Sequence, residues 1–200
     1  FLEKKKKIEE LEKNNMKKVQ RIVKNEKCDE YKLSDLCEFM KKKNKYLASD
    51  GYKEGLYRFY TSSQDKLLFR NDYEFENYSI IIGRSGVSSI HFNKKFSVTH
   101  DDVYVMKLID NINNTLLRFI YIILKINMKN ISNSFQGSTV KHSSKTELKK
   151  LLVKIPKDKK LIENLEKDFN KLEKLKEEMK ESEKQYKNLI EELRKDAIKS

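Results

Sequence analysis

Residues 78–86 read YSIIIGRSG, and this run sets the fold class that the rest of the chain must fit. Three consecutive isoleucines predict a strand that is buried on both faces, and the following Gly-x-x-Gly pattern favours a tight turn. Further strands are predicted downstream in VSSIHF (87–92) and KFSVTHDDVYVMKL (95–108). Upstream, GLYRFYTSS (55–63) alternates through aromatic residues and then breaks into small hydroxyls.

Helices are predicted on both sides of these strands. NNTLLRFIYIILKINM (113–128) reads as a helix capped by Asn113, Asn114 or Thr115. LSDLCEFM (33–40) reads as a short helix with Ser34 as its N-cap. The core is therefore predicted to be α+β, with short strands and packed helices.

A capping box predicts where the last helix of the core begins. Ser144 and Glu147 match the S/T-x-x-E pattern, so a helix is expected over 145–153, stopped by Pro156. The same cap ends the polar loop GSTVKHS (137–143). The sequence therefore places this loop at a defined position beside a helix.

Two long helices are expected outside the core, over residues 1–25 and after Pro156. The second carries a heptad stripe, and such a stripe needs another helix to cover it. Its expected helix-pairing residues are Leu165, Leu172, Leu175, Met179, Tyr186, Leu189 and Leu193. The N-terminal helix of the same chain and a second domain are both possible partners. Three segments follow: 1–27, 28–156 and 157–200.

The chain carries a net charge of +13, most of it uncompensated in the middle segment. A basic globular domain favours a polyanionic partner, although a lysine-rich, arginine-poor composition also follows from an AT-rich genome. Cys28 and Cys37 match no zinc or disulfide pattern, which favours a reduced, intracellular and cytoplasmic setting. The apolar run LLRFIYIILKI (116–126) is too short for a bilayer, which takes about 20 residues, so no membrane partner is expected. The first residue is Phe1, which suggests part of a longer polypeptide.

The sequence lacks the motifs expected of the enzymes considered. The sequence has neither a glycine-rich nucleotide loop nor the Asn/Asp-Pro-Pro-aromatic segment of adenine methyltransferases. His91, His100 and the pair Asp101-Asp102 have side chains that can bind metals, but their positions are better explained as strand and edge residues. Lys157-Asp158-Lys159-Lys160 resembles a nuclease fragment only superficially. No catalytic residue, metal or cofactor is expected.

Three segments place hydroxyls, amides or cations beside aromatic residues in this basic domain: 57–63, 83–86 and 137–142. Hydroxyls and backbone N–H groups suit phosphates, while arginine, lysine and histidine can also reach base edges. We therefore predict a surface for double-stranded DNA. The candidate contacts are Arg58, Thr61, Ser62, Arg84, Ser85, Ser138, Thr139, Lys141 and His142.

These segments, in this order, resemble the specificity subunit of type I restriction–modification systems. GLYRFYTSS resembles the family's Gly-x-aromatic-Pro-aromatic segment, with Arg58 in place of proline. IIIGRSG (80–86), FSVTHDDVYV (96–105) and GSTVKHSSKTELKKLLVKIP (137–156) resemble its strand and turn, strand pair and closing loop-helix segment. KKLI (159–162) stands where the family usually has Gln-x-x-Ile, which leaves the role of that glutamine without a counterpart.

The resemblance implies a non-catalytic target recognition domain over 28–156. Residues 1–27 would end a preceding spacer helix, and 157–200 would form the next spacer coiled coil. The implied function is to read a DNA half-site and present it to a methyltransferase subunit or fused domain, and to a restriction subunit. A helical scaffold whose basic domain binds protein is the alternative, and a nuclease with unrecognised metal ligands is a third reading.

Overall fold

The structure is a computed structural model and describes residues 2–63, 66–84, 89–110, 113–127 and 144–199. Its helices are α1 (Leu2–Asn25), α2 (Leu33–Leu36), α3 (Asn114–Ile126), α4 (Lys145–Lys150), α5 (Lys160–Glu163) and α6 (Glu166–Lys199). Its strands are β1 (Cys28–Lys32), β2 (Cys37–Phe39), β3 (Tyr57–Tyr60), β4 (Leu68–Arg70), β5 (Ser79–Gly83), β6 (Ile90–Asn93), β7 (Phe96–Val98), β8 (Val103–Leu108) and β9 (Leu152–Pro156). The predicted α+β class is confirmed.

Two sheets form the centre of the domain. The larger has the order β2-β8-β5-β6 with antiparallel neighbours, and the smaller has the order β4-β3-β7, in which β3 and β7 run parallel. The isoleucine strand β5 lies inside the larger sheet, pairing with β8 on one side and β6 on the other. The strand predicted from residues 78–86 is therefore confirmed.

The isoleucines of β5 face two separate cores because successive side chains of a strand point to opposite faces. Ile80 and Ile82 pack in one core with Phe119 of α3. Ile81 packs in the other, between the two sheets, with Phe96 of β7. This arrangement is a helical layer, a four-stranded layer and a three-stranded layer, and it explains why three consecutive residues of β5 are isoleucine.

Helix α3 begins as its sequence predicts. The Asn113 side chain accepts a hydrogen bond from the N–H of Leu116 at 2.9 Å, so Asn113 is the N-cap. Arg118 of this apolar helix is buried, donates to the carbonyl of Phe169 at 3.2 Å and pairs with Glu173. Both acceptors lie on α6, so Arg118 fixes the core helix to the long C-terminal helix.

Helices α1 and α6 lie antiparallel. Lys18 pairs with Asp168, while Glu12 pairs with Lys176 at 2.6 Å and Lys4 lies 3.8 Å from Glu178. Leu165, just before α6, and Leu172 are buried, whereas Leu175 and Met179 are half-buried. Beyond them Tyr186, Leu189 and Leu193 are 66%, 52% and 60% exposed. The first half of the heptad stripe thus packs inside the molecule, and the second half faces outward.

Two helix predictions are wrong in extent. Residues 33–40 form only the four-residue helix α2, with Lys32 rather than Ser34 at the N-cap, and then strand β2. The helix predicted over 145–153 ends at Lys150, because residues from Leu152 pair with β1. The predicted Ser144 cap is confirmed, since its Oγ accepts from the N–H of Glu147 at 3.0 Å.

Strands β1 and β9 bring the two ends of the core segment together, with Cys28 opposite Pro156. The helices α1 and α6 therefore leave the domain side by side. In the described part of the chain, no helix combines the length and apolar character that crossing a bilayer requires.

Candidate nucleic-acid interface

A cluster of hydroxyls forms where β3 ends against the end of β5. A Cβ atom on Gly83 would lie 3.2 Å from the Cα and from the carbonyl oxygen of Ser62, and 2.5 Å from the Oγ of Ser89. The backbone of Ser62 can pass this close only because position 83 has no side chain. We call Thr61, Ser62 and Ser89 the hydroxyl cluster; it joins two segments that the sequence predicted separately.

Thr61 shapes the chain within this cluster. It is 7% exposed, and its Oγ1 accepts a hydrogen bond from the N–H of Ser63 at 3.2 Å. The preceding carbonyl, that of Tyr60, accepts from the N–H of Thr99 at 2.9 Å. Thr61 is thus mainly a structural residue of the turn, while Ser62 is more exposed beside it.

Arg84 follows Gly83 and is held by backbone carbonyls. Its N–H donates to the carbonyl of Asp102 at 2.8 Å, and its Nη1 donates to that of Asp101 at 2.5 Å. The guanidinium lies 5.2 Å from the ring centre of Tyr104. Its Nε is buried and has no hydrogen-bond partner in the described part of the chain. These contacts fix the direction of the side chain and leave its positive charge intact.

Arg58 lies on β3, two residues before Tyr60, and packs between aromatic rings. Its guanidinium lies 5.3 Å from the ring centre of Tyr60 and 5.2 Å from that of Phe69. Its Nη1 is buried and makes no hydrogen bond to any described residue. A buried donor without a partner costs about 1–3 kcal/mol, so the aromatic packing of Arg58 is maintained against this cost.

The arginines of the domain differ in whether a carboxylate pairs with them. Within the described ranges, the arginines that form ion pairs are Arg70, with Asp72 at 2.7 Å, and Arg118, with Glu173. Arg58 and Arg84 form no ion pair with a carboxylate of these described residues. The two arginines predicted as contacts therefore keep a full charge available for an anion.

His91 lines the same side of the domain on the edge strand β6. Its ring lies 4.7 Å from that of Tyr60, whose hydroxyl accepts from the Nδ2 of Asn93 at 2.9 Å. Burial, reinforced by the positive charges of Arg58 and Lys125, lowers the pKa of His91 to about 4. The imidazole is neutral at pH 7, so the positive field here comes from Arg58 and Lys125.

Five of the nine predicted contacts lie outside the described residues: Ser85, Ser138, Thr139, Lys141 and His142. The other four, Arg58, Thr61, Ser62 and Arg84, lie on β3 and at the ends of β3 and β5. Thr61 and Ser62 meet Gly83, the residue before Arg84, at the hydroxyl cluster.

Sequence reasoning missed Ser89, which is buried beside Gly83 and has no hydroxyl partner among the described residues. A signal for it existed. Residues 80–83 and 89–93 read as two strands joined by a short turn, and a hairpin would place Ser89 opposite Gly83. The N–H of Gly83 indeed donates to the carbonyl of Ser89 at 2.9 Å.

Two residues with side chains suited to catalysis or metal binding, His100 and Asp158, contact backbone groups. The Nδ1 of His100 lies 3.1 Å from the carbonyl of Asn44, and the carboxylate of Asp158 accepts from the N–H of Lys160 at 3.0 Å. Among the described residues no group of histidines, cysteines and carboxylates could hold a metal. Burial raises the pKa of Cys37 to about 12, so this thiol stays protonated.

Comparisons with known proteins agree on one family. Residues 25–192 match the family model described as type I restriction modification DNA specificity domain. The S subunit of a type I restriction-modification system from M. genitalium has a similar fold, with a TM-score of 0.60 and 18% sequence identity. That match covers 90% of this chain and 54% of the M. genitalium chain. At this identity the likeness shows the fold alone.

A second solved structure, the HsdS subunit from Thermoanaerobacter tengcongensis, has a TM-score of 0.48 and 12% identity, covering 87% of this chain and 47% of that one. The present chain thus spans about half the length of the solved subunits it matches. A comparison with curated proteins gives no match.

Proposed function

The chain belongs to the family of type I restriction modification DNA specificity domains, and from this premise we propose that it binds double-stranded DNA and reads one half-site. The observation that carries the proposal is the contact of Ser62 with Gly83, which brings the end of the strand that carries Arg58 to the residue before Arg84; neither arginine forms an ion pair with a described residue. Hydroxyls and arginine are groups that contact phosphates and base edges. Arg58 and Arg84 are proposed as the charged contacts, and Ser62 as a polar contact held in place by Thr61 and Gly83.

The contacts outside the described residues belong to the same proposal. Ser85, Ser138, Thr139, Lys141 and His142 carry the hydroxyls and cations of the remaining two predicted segments. The protein acts by binding and not by catalysis, in the intracellular setting that access to genomic DNA requires.

The two long helices are proposed to dock the methyltransferase subunit or domain, and through it a restriction subunit. The support is the continuation of the heptad stripe: Tyr186, Leu189 and Leu193 are exposed beyond the part of α6 that α1 covers. Exposed apolar side chains at heptad spacing suit a partner helix. The same stripe supports the alternative in which the chain is a scaffold that binds only protein.

Selection from randomised duplex DNA distinguishes these functions. The protein, with any flanking sequence restored, is mixed with the duplex pool at moderate salt, and the retained DNA is sequenced. We expect one short motif to be enriched, with affinity that falls steeply with salt because bound phosphates release counterions. Failure to bind even at low salt would overturn the DNA function and favour the protein-binding scaffold.

A pair of matched variants locates the contact. Arg58→Gln with Arg84→Gln removes two charges at the proposed surface, whereas Arg21→Gln with Arg194→Gln removes two from exposed sites on α1 and α6. The first pair is expected to weaken binding of the enriched duplex at least tenfold, and the second to leave it unchanged. Equal losses from both pairs would mean that only net charge matters.

A further inference from the structure

A row of lysines lies on the segment KKKNKY (41–46), which the sequence alone indicated only as a polar loop. Exposure alternates along it: Lys41, Lys43 and Lys45 are exposed, and Lys42, Asn44 and Tyr46 are half-buried. We call the three exposed residues the lysine row. Their ammonium groups lie on the outer side of a segment whose inner side chains contact the domain.

The backbone of this segment is held from several directions. The Nζ of Lys42 donates to the carbonyl of Thr99 at 3.1 Å and also to that of His100. The carbonyl of Tyr46 accepts from the N–H of His100 at 2.8 Å.

A second anchor comes from Glu74, whose carboxylate accepts hydrogen bonds from the N–H groups of Lys43 and Asn44, the latter at 3.0 Å. The lysine row is therefore presented by an anchored backbone and not by a loose tail.

The lysine row also lacks charge compensation. Several other lysines of the domain form ion pairs, for example Lys107 with Glu38 at 2.9 Å and Lys154 with Glu30 at 3.7 Å. Within the described residues, Lys41, Lys43 and Lys45 form none. Glu74 accepts hydrogen bonds from the backbone of this segment and forms no ion pair with the three ammonium groups. Three cations therefore stand together without carboxylate partners.

The lysine row lies beside the candidate DNA contacts. The loop that holds Lys42 through Thr99 and His100 continues to Asp101 and Asp102, whose carbonyls hold Arg84. The charges of Asp101 and Arg84 both act on the Lys42 ammonium. The segment that carries the lysine row and Arg84 thus both bind the loop 99–102.

We propose that Lys41, Lys43 and Lys45 bind phosphates of the DNA duplex whose bases face Arg84 and the hydroxyl cluster. This inference depends on the proposed DNA-binding function and adds a surface that carries affinity without sequence preference. Lysine suits this role because its ammonium is a compact charge on a flexible stem, able to follow phosphates but without the planar fork of arginine.

The test compares two triple variants with equal loss of charge. Lys41→Gln, Lys43→Gln and Lys45→Gln remove the lysine row. Lys6→Gln, Lys13→Gln and Lys17→Gln remove three exposed lysines of α1 that form no ion pair with described residues. Each protein first passes through the duplex selection, and its affinity for the enriched duplex is then measured between 50 and 200 mM salt. Thermal unfolding checks that all three proteins are folded.

The slope of log K against log salt is negative for DNA binding. Removal of the lysine row is expected to make it less negative by about 2.7, since each phosphate contact contributes about 0.9. When the salt concentration rises fourfold, the factor by which affinity falls should be about 40 times smaller for the variant than for the wild type. The enriched motif should remain the same, and the α1 variant should keep the wild-type slope.

Other outcomes separate the inference from the function beneath it. An unchanged slope, or equal slope changes in both triple variants, would overturn the proposal that the lysine row binds phosphates. A motif enriched by the wild type would still support sequence recognition in that case. A changed motif would make these lysines base contacts and also overturn the inference. A wild type that enriches no motif would overturn sequence recognition itself, whatever the slopes.

Discussion

Ser62 and Gly83 are in backbone contact: a methyl group at position 83 would lie 3.2 Å from both the Cα and the carbonyl oxygen of Ser62. Residues 21 positions apart in the chain thereby determine each other's placement. The contact joins the three-stranded sheet to the end of β5, so it sets where the hydroxyl of Ser62 stands relative to Arg84.

Gly83→Ala is expected to displace Ser62, because real Cβ atoms do not sit 2.5 Å from a hydroxyl oxygen or comfortably at 3.2 Å from backbone atoms. The prediction is a loss of at least tenfold in affinity for the selected duplex. The motif enriched in the duplex selection should also show weaker base preferences. Overpacking of this kind also costs about 1–3 kcal/mol of stability.

Gly51→Ala is the matched control for this prediction. Its Cβ would lie 2.5 Å from Cδ1 of Phe59 and 3.0 Å from Cδ1 of Leu68, so it creates a similar clash away from Ser62. It should lower the melting temperature and leave the motif intact. Identical motifs for both variants would show that the position of Ser62 does not matter for reading DNA.

Breaking the ion pair between Arg118 and Glu173 should be costly. Glu173→Gln removes the negative charge that accompanies Arg118, a residue only 6% exposed, and leaves its guanidinium with neutral acceptors, the carbonyl of Phe169 and the new amide oxygen. We expect about 3 kcal/mol lower stability in urea unfolding, the lower end for a broken buried pair because Glu173 is partly exposed. Arg118→Met with Glu173→Leu should recover most of it; a double variant as unstable as the single would contradict this account.

Stability should fall on acidification through His91. Its pKa is lowered from 6.5 to about 4 in the folded state, so between these values the unfolded chain binds a proton that the folded chain does not. The contribution of His91 is complete above pH 6.5 and is lost as pH falls towards 4. Urea unfolding at several pH values should show a weaker pH dependence for His91→Gln than for the wild type.

His100→Gln is the control for this titration, since it replaces the same residue type and leaves His91 in place. It should keep the wild-type change in unfolding free energy between pH 6.5 and 4. If both variants keep it, another group dominates acid destabilisation.

Replacement of Asn15 should stabilise the helical layer. Asn15 is 3% exposed within α1, and its Nδ2 has no hydrogen-bond partner among the described residues, beside a cavity of about 40 Å³. Asn15→Leu is expected to raise the free energy of unfolding by about 1 kcal/mol. Asn14→Leu, at the exposed neighbouring position, should change it little. Destabilisation by Asn15→Leu would indicate that a buried water satisfies the amide.

Local signals were sufficient for several elements. The cap at Ser144 lies within three residues of the N–H group it accepts from, so the sequence identifies it directly. At the start of α3 the sequence limited the cap to Asn113, Asn114 or Thr115, and the structure selects Asn113. The isoleucine run also predicted β5 from local sequence, since a short unbroken apolar segment followed by a glycine turn is typical of a buried strand. The apolar spacing of α6 likewise predicted a long helix, because a heptad repeat is a local signal.

Long-range pairing explains the errors. Residues 151–153 were predicted to continue the helix. The N–H of Leu33 instead donates to the carbonyl of Leu151 at 2.7 Å, and β9 pairs with β1, more than 100 residues away. Cys37 likewise lies in a strand because β8 offers Leu108 as its partner. Backbone pairing with a distant strand outweighed the local helical preference in both places.

By itself, the sequence determined the types of most elements, the family and the residue types available for binding, because these depend on periodicity, caps and order along the chain. Tertiary structure alone decided which of them meet. Contacts between segments far apart in sequence bring Ser62 to Gly83 and leave Arg58 and Arg84 without carboxylate partners among the described residues. Such contacts also turn Lys41, Lys43 and Lys45 outward. Such contacts are set by packing of two sheets and a helical layer, which no local pattern encodes.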